Sequence, residues 1–471
     1  MTISRRTWIR TGAAVVGAAV VGKTVKAMAQ PTPMDPNMPM PAPAPVPHDA
    51  PKPLPEPPAT PPAHAPGTPP AHAPGLAPKS GPGPGRIVVP NGSVLAGRRV
   101  GDAWVYHLTA APLKHTIAPG LDIEAWGYNG STPGPVLEAT EGDRVRIYVT
   151  NHLPEPTSVH WHGVLVPNGM DGVAGLTQAA IAPGQTYRYD FTFSRAGTFM
   201  YHPHADEMTQ IAFGMVGMIV VHPRTPAPRA RDYVLLAHEW KIPIGAARPD
   251  PLAMADFNVL TYNGVAYPAT APLVAEVGDL VRIRFGNLGP MDHHPMHLHG
   301  HSFEVVGTDG GTVPPSARVP ETTVLVPTGT VRTIEFVARA PGDWPLHCHM
   351  THHAMNQMGH EAANLVGVDT SGLDARLRGV IPGYMTMGAR GMDEMSEMRM
   401  KQPANAISML PGKGPHGTIA MGGMFTLLKV RRRGALAATG DADPGYYTAP
   451  AAEQAAEATA AELARDGIVL P

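Results

Sequence analysis

The sequence predicts an all-β protein built from two similar β-sandwiches. From about residue 100, short alternating apolar runs are separated by turns of Gly, Pro and Asn, a pattern typical of sandwiches of antiparallel sheets. The same short motifs then recur in the same order later in the chain, which indicates two homologous domains. The recurring pairs are Tyr128-Asn129-Gly130 with Tyr262-Asn263-Gly264, Gly142-Asp143 with Gly278-Asp279, and His160-x-His162 with His297-x-His299.

Changes in composition along the chain predict five segments. Residues 31–85 are rich in proline and cannot bury an apolar face, so an extended, partly polyproline linker is expected there. The region after residue 370 is rich in methionine, and Thr418–Val430 is predicted to return to the body as a strand. The predicted boundaries are 1–29 for a signal peptide, 30–98 for the linker, 99–225 and 226–370 for the two sandwiches, and 371–471 for the methionine-rich extension and tail.

The N-terminus predicts export. Arg5-Arg6 precede an apolar run and a small-residue cleavage site at Ala27-Met28-Ala29, as in twin-arginine signals. The run is too short for a permanent membrane helix, so no integral span is expected after processing. The mature protein is predicted to be periplasmic or extracellular. The balance of 36 basic against 38 acidic residues argues against a nucleic-acid partner.

The single cysteine of the chain lies in a dense group of metal-ligating residues. Cys348 has a histidine on either side, and His353 and Met358 follow it. A thiolate, imidazoles and a weak thioether are the ligands of blue-copper electron-transfer sites. If the His-Cys-His tripeptide is extended, alternation sends Cys348 to one face and both histidines to the other, so that one tripeptide could join two metal centres.

Three further histidine clusters lie upstream of this group. Taken together, four clusters with a cysteine inside the last one predict a copper protein. Only the second sandwich can form a blue-copper site, because Pro203 occupies the position in the first that Cys348 occupies in the second. The upstream clusters are His160-x-His162, His202-x-His204 and His294-x-x-His297-x-His299.

These four motifs resemble the copper-binding signature of the multicopper oxidases, the family of laccases, ascorbate oxidase, ferroxidases and bacterial copper-tolerance oxidases. The resemblance covers roughly residues 100–370. It implies cupredoxin sandwiches and about four copper ions per chain, one of type 1, one of type 2 and a type 3 pair. The implied ligands are His294, Cys348, His353 and axial Met358 for type 1, His160 and His297 for type 2, and His162, His202, His204, His299, His347 and His349 for type 3.

The resemblance also implies roles in the reaction. O2 would be the electron acceptor and a small reductant or metal ion the donor, with electrons entering and leaving through Cys348. Asp171 matches an acidic residue near the type 2 copper and would donate protons, although a plain turn aspartate fits that position too. Ala354 stands where other bacterial members have a glutamate. Three more acidic residues beside ligand motifs are explained equally well by solvation: Asp206, Glu207 and Asp292.

The chain lacks the middle domain of three-domain laccases. The resemblance therefore implies a homotrimer, in which the trinuclear cluster closes between the first sandwich of one subunit and the second sandwich of its neighbour. Phenols, aromatic amines, Cu(I), Mn(II) and Fe(II) all remain open as reductants. Two other functions are weighed against an oxidase. A two-domain copper nitrite reductase would carry its cysteine in the first domain, and a non-enzymatic copper-storage protein would use the methionine-rich tail to bind Cu(I).

Overall fold

The computed structural model describes residues 87–225, 228–357, 371–380, 402–409, 412–437, 440 and 442–470. The predicted signal peptide, Met358 and most of the methionine-rich segment lie outside these residues. Strands dominate the described elements, as predicted, and no described helix is long and apolar enough to cross a membrane. The helices are α1 (Glu207–Ala212), α2 (Ser371–Val380) and α3 (Ala460–Arg465).

Strands β2 to β11 form the first sandwich. Their bounds, with β1 before them, are β1 (Ile87–Val88), β2 (Val94–Leu95), β3 (Arg98–Val100), β4 (Ala103–Ala118), β5 (Leu121–Tyr128), β6 (Val136–Thr140), β7 (Arg144–Asn151), β8 (His160–His162), β9 (Thr186–Thr192), β10 (Gly197–His202) and β11 (Gly217–His222). One sheet has the order β2-β6-β11-β10-β8, and the other has β3-β4-β7-β9 with β5 beside β4. The apolar core between these sheets includes Ile147, Trp161 and Tyr201.

The second sandwich also encloses its own core. Its strands are β12 (Arg231–Trp240), β13 (Val259–Tyr262), β14 (Leu273–Glu276), β15 (Leu280–Asn287), β16 (His294–Leu298), β17 (Phe303–Thr308), β18 (Gly311–Thr312), β19 (Pro320–Glu321), β20 (Thr323–Val326), β21 (Thr330–Val337), β22 (Gly342–Cys348) and, after the hairpin β23 (Gly412–Gly414) and β24 (Gly417–Ile419), β25 (Phe425–Arg431). One sheet runs β1-β12-β15-β21-β17-β18, with β13 beside β12 and β19 beside β17. The other runs β14-β25-β22-β16-β20.

The repeated Tyr-Asn-Gly motif forms the same turn in both sandwiches. Asn129 and Gly130 have φ angles of 53° and 76°, and Asn263 and Gly264 have 47° and 79°. Two consecutive residues with positive φ define the type I′ hairpin turn, which favours Asn-Gly because these residues tolerate that conformation. The repeat found in the sequence is therefore a repeat of structure.

Two ends of the fold extend past the predicted sandwich limits. Strand β1 lies in the predicted linker, yet it pairs with β12, and Ile87 is buried in an apolar cluster shared by both sandwiches. Strand β25 lies beyond residue 370, yet it pairs with both β14 and β22. The predicted return of the chain within Thr418–Val430 is thus confirmed, and β25 is an inner strand of the second sandwich.

A buried ion network also joins the sandwiches. Arg284 donates two 2.7 Å hydrogen bonds to the carboxylate of Asp232 and one of 2.7 Å to the hydroxyl of Thr198 in the first sandwich. Arg282 adds a bond of 2.9 Å to the same carboxylate. Burial alone would raise the pKa of Asp232, but the two guanidinium charges outweigh it and lower that pKa. The network thus depends on an ionised aspartate.

Asp232→Asn is expected to lower the free energy of unfolding by about 3 to 5 kcal/mol at pH 7, because it leaves buried guanidinium groups without a counter-charge. Since the pKa of Asp232 is lowered on folding, its stabilisation is present above the unfolded pKa of about 3.9 and is lost as the pH falls through the folded value. The wild type and Asp232→Asn are denatured at several pH values between 7 and 3. The difference between their free energies of unfolding should become smaller below about pH 4.

The matched control for this experiment is Asp102→Asn. Asp102 also pairs with an arginine, Arg144, but at the surface. Exposed ion pairs contribute little to stability, so this variant should unfold close to the wild type. The role given to the Asp232 carboxylate would be contradicted if the two variants were equally destabilised. It would also be contradicted if the difference in free energy of unfolding between the wild type and Asp232→Asn did not change with pH.

Candidate metal centres

A buried triad lies at one end of the second sandwich. His294 opens β16, Cys348 ends the neighbouring β22, and His353 lies in the short 3-10 turn that follows. The Nδ1 atoms of His294 and His353 are 3.2 Å apart, and both lie within 3.7 Å of the Cys348 sulfur. Strand pairing and a tight turn thus bring together three of the four predicted type 1 residues.

The electrostatics of this triad suit a soft metal ion. Burial lowers the pKa of His294 to about 3, so its ring is neutral and has a lone pair to offer. Burial also raises the pKa of the Cys348 thiol to about 12, whereas coordination to a metal would deprotonate it. Two imidazole nitrogens and one sulfur converge in a buried site, and this donor set fits copper while offering no oxygen ligand to hard cations.

Two carboxyl groups support the outer side of the triad. Asp292 lies 3.4 Å from Nε2 of His353, and this contact with His353 is the main reason that the pKa of Asp292 is lowered. Behind it, burial and the charge of Asp292 raise the pKa of Glu239 to about 8. An ionised carboxylate at Nε2 holds the His353 ring with Nδ1 facing inward. No sequence motif marks Glu239, which lies on β12, far along the chain from the ligand motifs.

A first tetrad of histidines lies at the edge of the first sandwich. His160 and His162 are the ends of β8, and His202, directly opposite His160, ends β10. Nδ1 of His162 is 3.2 Å from Nε2 of His202. The His204 ring lies 5.7 Å from the His160 ring, between centroids. All four histidines predicted in this sandwich therefore lie in one group.

A second tetrad lies on the second sandwich, on the other side of the strand that carries Cys348. His297 and His347 are directly opposite each other on β16 and β22. Nε2 of His299 is 3.2 Å from Nε2 of His347, and the His349 ring is 5.5 Å from the His297 ring. Cys348 points into the core, whereas its neighbours join this tetrad. The alternation predicted for the tripeptide is confirmed.

Backbone carbonyl oxygens fix the tautomers of four tetrad histidines. In each, Nδ1–H donates to a carbonyl oxygen 2.8 or 2.9 Å away, which leaves the lone pair of Nε2 available to a metal. Burial lowers the pKa of His202 to about 3, which keeps that ring neutral. The donor–acceptor pairs are His160 with Asp171, His202 with Pro203, His297 with Thr322, and His347 with Cys348.

The two tetrads do not meet within one chain. The structure describes all eight histidines, and every ring contact between two of them lies inside one tetrad. His299 and His349 are exposed, and His204 is partly exposed. Each sandwich therefore presents half of the predicted trinuclear ligand set at its surface.

Acidic groups border the first tetrad. A carboxylate oxygen of Asp171 lies 3.4 Å from Nδ1 of His160, the same atom that donates to the Asp171 carbonyl. Glu207 opens α1 and lies 3.4 Å from Nδ1 of His202 and 3.7 Å from Nε2 of His204. Asp171 thus lies beside His160, a predicted type 2 ligand. Glu207 contacts two predicted type 3 ligands, His202 and His204.

Comparison with known proteins gives one family. Residues 110–226 and residues 243–367 each match a family model described as multicopper oxidase, and together the two matches span about half of the chain. The two matched regions carry the two tetrads, and the second also carries the triad. The models thus divide the chain in the same way as the sequence repeat.

Individual relatives agree with this result. Copper resistance protein A of Escherichia coli is 30% identical over 246 residues, which are 42% of this chain and 40% of that protein. Laccase-1 of Cryptococcus neoformans var. grubii is 34% identical over 228 residues, which are 41% of this chain and 36% of that protein. The chain thus matches about two fifths of the length of these relatives.

A solved structure supports the fold over a longer stretch. The multicopper oxidase mgLAC is similar with a TM-score of 0.51 and 26% identity, covering 72% of this chain and 90% of that one. The predicted pair of cupredoxin sandwiches is confirmed.

Proposed function

Because the chain belongs to the multicopper oxidase family, we propose that it is an exported oxidase that couples one-electron oxidation of small reductants to the four-electron reduction of O2 to water. The reductants are phenolic or aromatic compounds, or the metal ions Cu(I), Mn(II) or Fe(II). One observation carries the proposal. A buried thiol and two imidazole nitrogens converge in one site, and the neighbours of that thiol belong to a group of four histidines.

The triad His294, Cys348 and His353 is proposed to hold type 1 copper, which supplies a one-electron acceptor when bound. Cys348 then carries electrons from the triad to its neighbours His347 and His349. The geometry supports this route, because Nδ1–H of His347 donates a 2.8 Å hydrogen bond to the carbonyl oxygen of Cys348. A covalent path and a hydrogen-bonded path therefore both lead from the buried sulfur to the second tetrad.

The two tetrads are proposed to hold the other coppers, which makes about four ions per chain with the type 1 site. This trinuclear group supplies the site of O2 reduction when bound. Each sandwich contributes one type 2 ligand and three type 3 ligands, so a complete set needs one tetrad of each kind. The assignments are His160 and His297 to type 2, and His162, His202, His204, His299, His347 and His349 to type 3.

A homotrimer would complete these sets. Large apolar side chains are exposed close in sequence to residues of both tetrads or to residues that contact them: Leu165 and Met208 on the first sandwich, and Leu325 and Met350 on the second. Contact with another chain would remove these apolar side chains from water, which is favourable. When unlike surfaces of identical chains are joined by a rotation that closes after three copies, the result is a trimeric ring. We therefore propose that the first tetrad of one subunit faces the second tetrad of the next.

Asp171 is proposed to deliver protons for O2 reduction, since its carboxylate and carbonyl both lie at Nδ1 of His160. Asp171→Asn keeps the shape but removes the acid. It is expected to slow reoxidation of the reduced protein by O2 by about 10- to 100-fold, while reduction of the blue centre under anaerobic conditions keeps its rate. Stopped-flow absorption measures both steps. Asp466→Asn, an exposed change near the C-terminus, is the control, and unchanged reoxidation of Asp171→Asn would remove Asp171 from the proton path.

Export by the twin-arginine route to the periplasm or the outside of the cell remains part of the proposal. It is supported by Arg5-Arg6, the apolar run and the Ala27-Met28-Ala29 site, all of which lie outside the described residues. This route exports folded proteins, which would allow copper to be bound before export.

The test of the proposed function is an optical spectrum, a copper count and an oxygen-electrode assay on fully loaded protein. We expect intense blue absorption, a near-ultraviolet shoulder, about four coppers per chain and O2 uptake with a phenol or a reduced metal ion. About two coppers without the shoulder, together with nitrite reduction, would instead indicate a nitrite reductase. Colourless protein loaded with Cu(I) and no O2 uptake would indicate copper storage.

A further inference from the structure

We infer that Met424, rather than Met358, supplies the axial thioether of the type 1 site. The inference rests on the proposed function of the triad, and it concerns the one type 1 ligand that the described residues leave open. Met358 was the axial ligand implied by the family resemblance, and it lies outside the described residues. Met424 is fully buried and belongs to the same apolar core as Cys348.

Strand pairing places Met424 beside the thiol. Strand β25 runs antiparallel to β22 with Phe425 opposite His347, so the next residue, Met424, comes opposite Cys348. A hydrogen bond from the Cys348 N–H to the Met424 carbonyl oxygen, 3.1 Å long, continues the pairing. Residues directly opposite each other on antiparallel strands have Cβ atoms about 4.5 to 5.5 Å apart.

The burial pattern of β25 shows which face Met424 belongs to. Leu428 and Val430 pack in the core that contains Cys348, whereas Phe425 and Leu427 pack in a separate cluster on the other face. Met424 is separated from Leu428 and Val430 by even numbers of positions, so strand alternation places it on the same inner face, and it belongs to the same core cluster. Its side chain therefore lies inside the sandwich, on the side of the buried triad.

The second contact of Met424 is with the turn that carries His353. The Met424 N–H donates a 2.9 Å hydrogen bond to the carbonyl oxygen of His353, and the N–H of Gly422 donates one of 2.8 Å to that of Ala354. Between them, Gly423 has a φ of 55°, and a Cβ there would come within 2.4 Å of the His353 carbonyl oxygen. Glycine is thus required for the approach. The backbone of Met424 is held by two ligands of the triad at once.

Another buried thioether lies equally close to Cys348 in the sheet but is already engaged. Met296 is opposite Cys348 on β16, and its sulfur accepts a 3.0 Å hydrogen bond from the Tyr262 hydroxyl. Within the described part of the chain, no donor reaches the sulfur of Met424. Of the two thioethers that flank the thiol, Met424 is the one left free to bind a metal.

The test compares three leucine variants in copper-loaded protein: Met424→Leu, Met358→Leu and Met296→Leu. Optical and electron paramagnetic resonance spectra and the reduction potential of the blue centre are recorded for each. We expect Met424→Leu to raise the potential and to change both spectra, because the axial ligand tunes the blue centre. Met424→Gln, which replaces sulfur by an amide oxygen, should keep a blue centre with a lower potential. Met358→Leu and Met296→Leu should both give wild-type spectra and potentials.

A shift in Met358→Leu would overturn the inference, as would wild-type spectra and potential in Met424→Leu or Met424→Gln. If Met424→Leu does not fold, the glutamine variant and Met358→Leu still decide between the two methionines. The control for the proposed function is the wild type itself. Absence of a blue band there would count against the type 1 site as a whole, whichever methionine is changed.

Discussion

Cys348→Ser should abolish the blue absorption and all O2-coupled oxidation, while the protein still folds. The colour of a blue-copper site arises from a copper–thiolate bond, and a serine hydroxyl cannot replace that ligand. The same change breaks the route from the triad to His347 and His349. The near-ultraviolet shoulder should remain, because no tetrad histidine is touched. Absorption spectroscopy and an oxygen electrode measure the two losses separately.

Ala354→Ser is the matched control for this experiment. It adds a buried hydroxyl next to His353 without removing a proposed ligand. It should therefore keep the blue band and O2 uptake. If Cys348→Ser retained the blue band, the proposed type 1 site would be wrong. If it lost the band but kept O2 uptake, electrons would have to enter by another route.

If each trinuclear site is formed by tetrads from two subunits, two inactive variants should restore each other's activity in mixed trimers. His202→Ala and His299→Ala each damage a different tetrad and leave the triad intact. Each variant alone should keep the blue band but lose the near-ultraviolet shoulder and O2 reduction. When the two chains are assembled together at random, about a quarter of the sites should regain both intact tetrads, because two unlike surfaces meet at each interface of a ring.

The control mixture contains His202→Ala and His204→Ala, which both damage the first tetrad. It should recover nothing, because no interface can then offer an intact first tetrad. Recovery of O2 uptake only in the first mixture would demonstrate that ligands from two chains make one site. Mixed trimers without recovery would place the complete site within a single chain. Full activity of either single variant would remove its tetrad from O2 reduction.

Local chemistry made the fold and the metal-binding groups predictable. The Asn-Gly turns follow from the conformations that these residues tolerate, and the opposite orientations of Cys348 and His347 follow from strand alternation. The histidine clusters could be assigned to two sandwiches because the sequence repeats. The turns and the strand alternation depend only on residues that are close together in the chain.

Features that depend on contacts between residues far apart in the chain could not be predicted from the sequence. A returning strand was expected within Thr418–Val430, but the position of β25 between β14 and β22 depends on pairing between residues far apart in the chain. The approach of Glu239 to Asp292 depends on how strand β12 is placed against the loop before β16, and no motif marks Glu239. The position of Met424 beside Cys348 follows from strand register. Counting residues from the cysteine could not reveal it.

Two described stretches that are far apart in the chain, residues 356–357 and residues 407–408, lie side by side. The Ile407 N–H donates a 2.8 Å hydrogen bond to the Gln357 side chain, and the Asn356 side chain donates one of 3.3 Å to the carbonyl oxygen of Ser408. Closing a loop costs only about 0.6 kcal/mol more for each doubling of its length. Because these two stretches are held together, we expect that the residues between them can be replaced by a short turn or by another domain without a change in the register of the sheet.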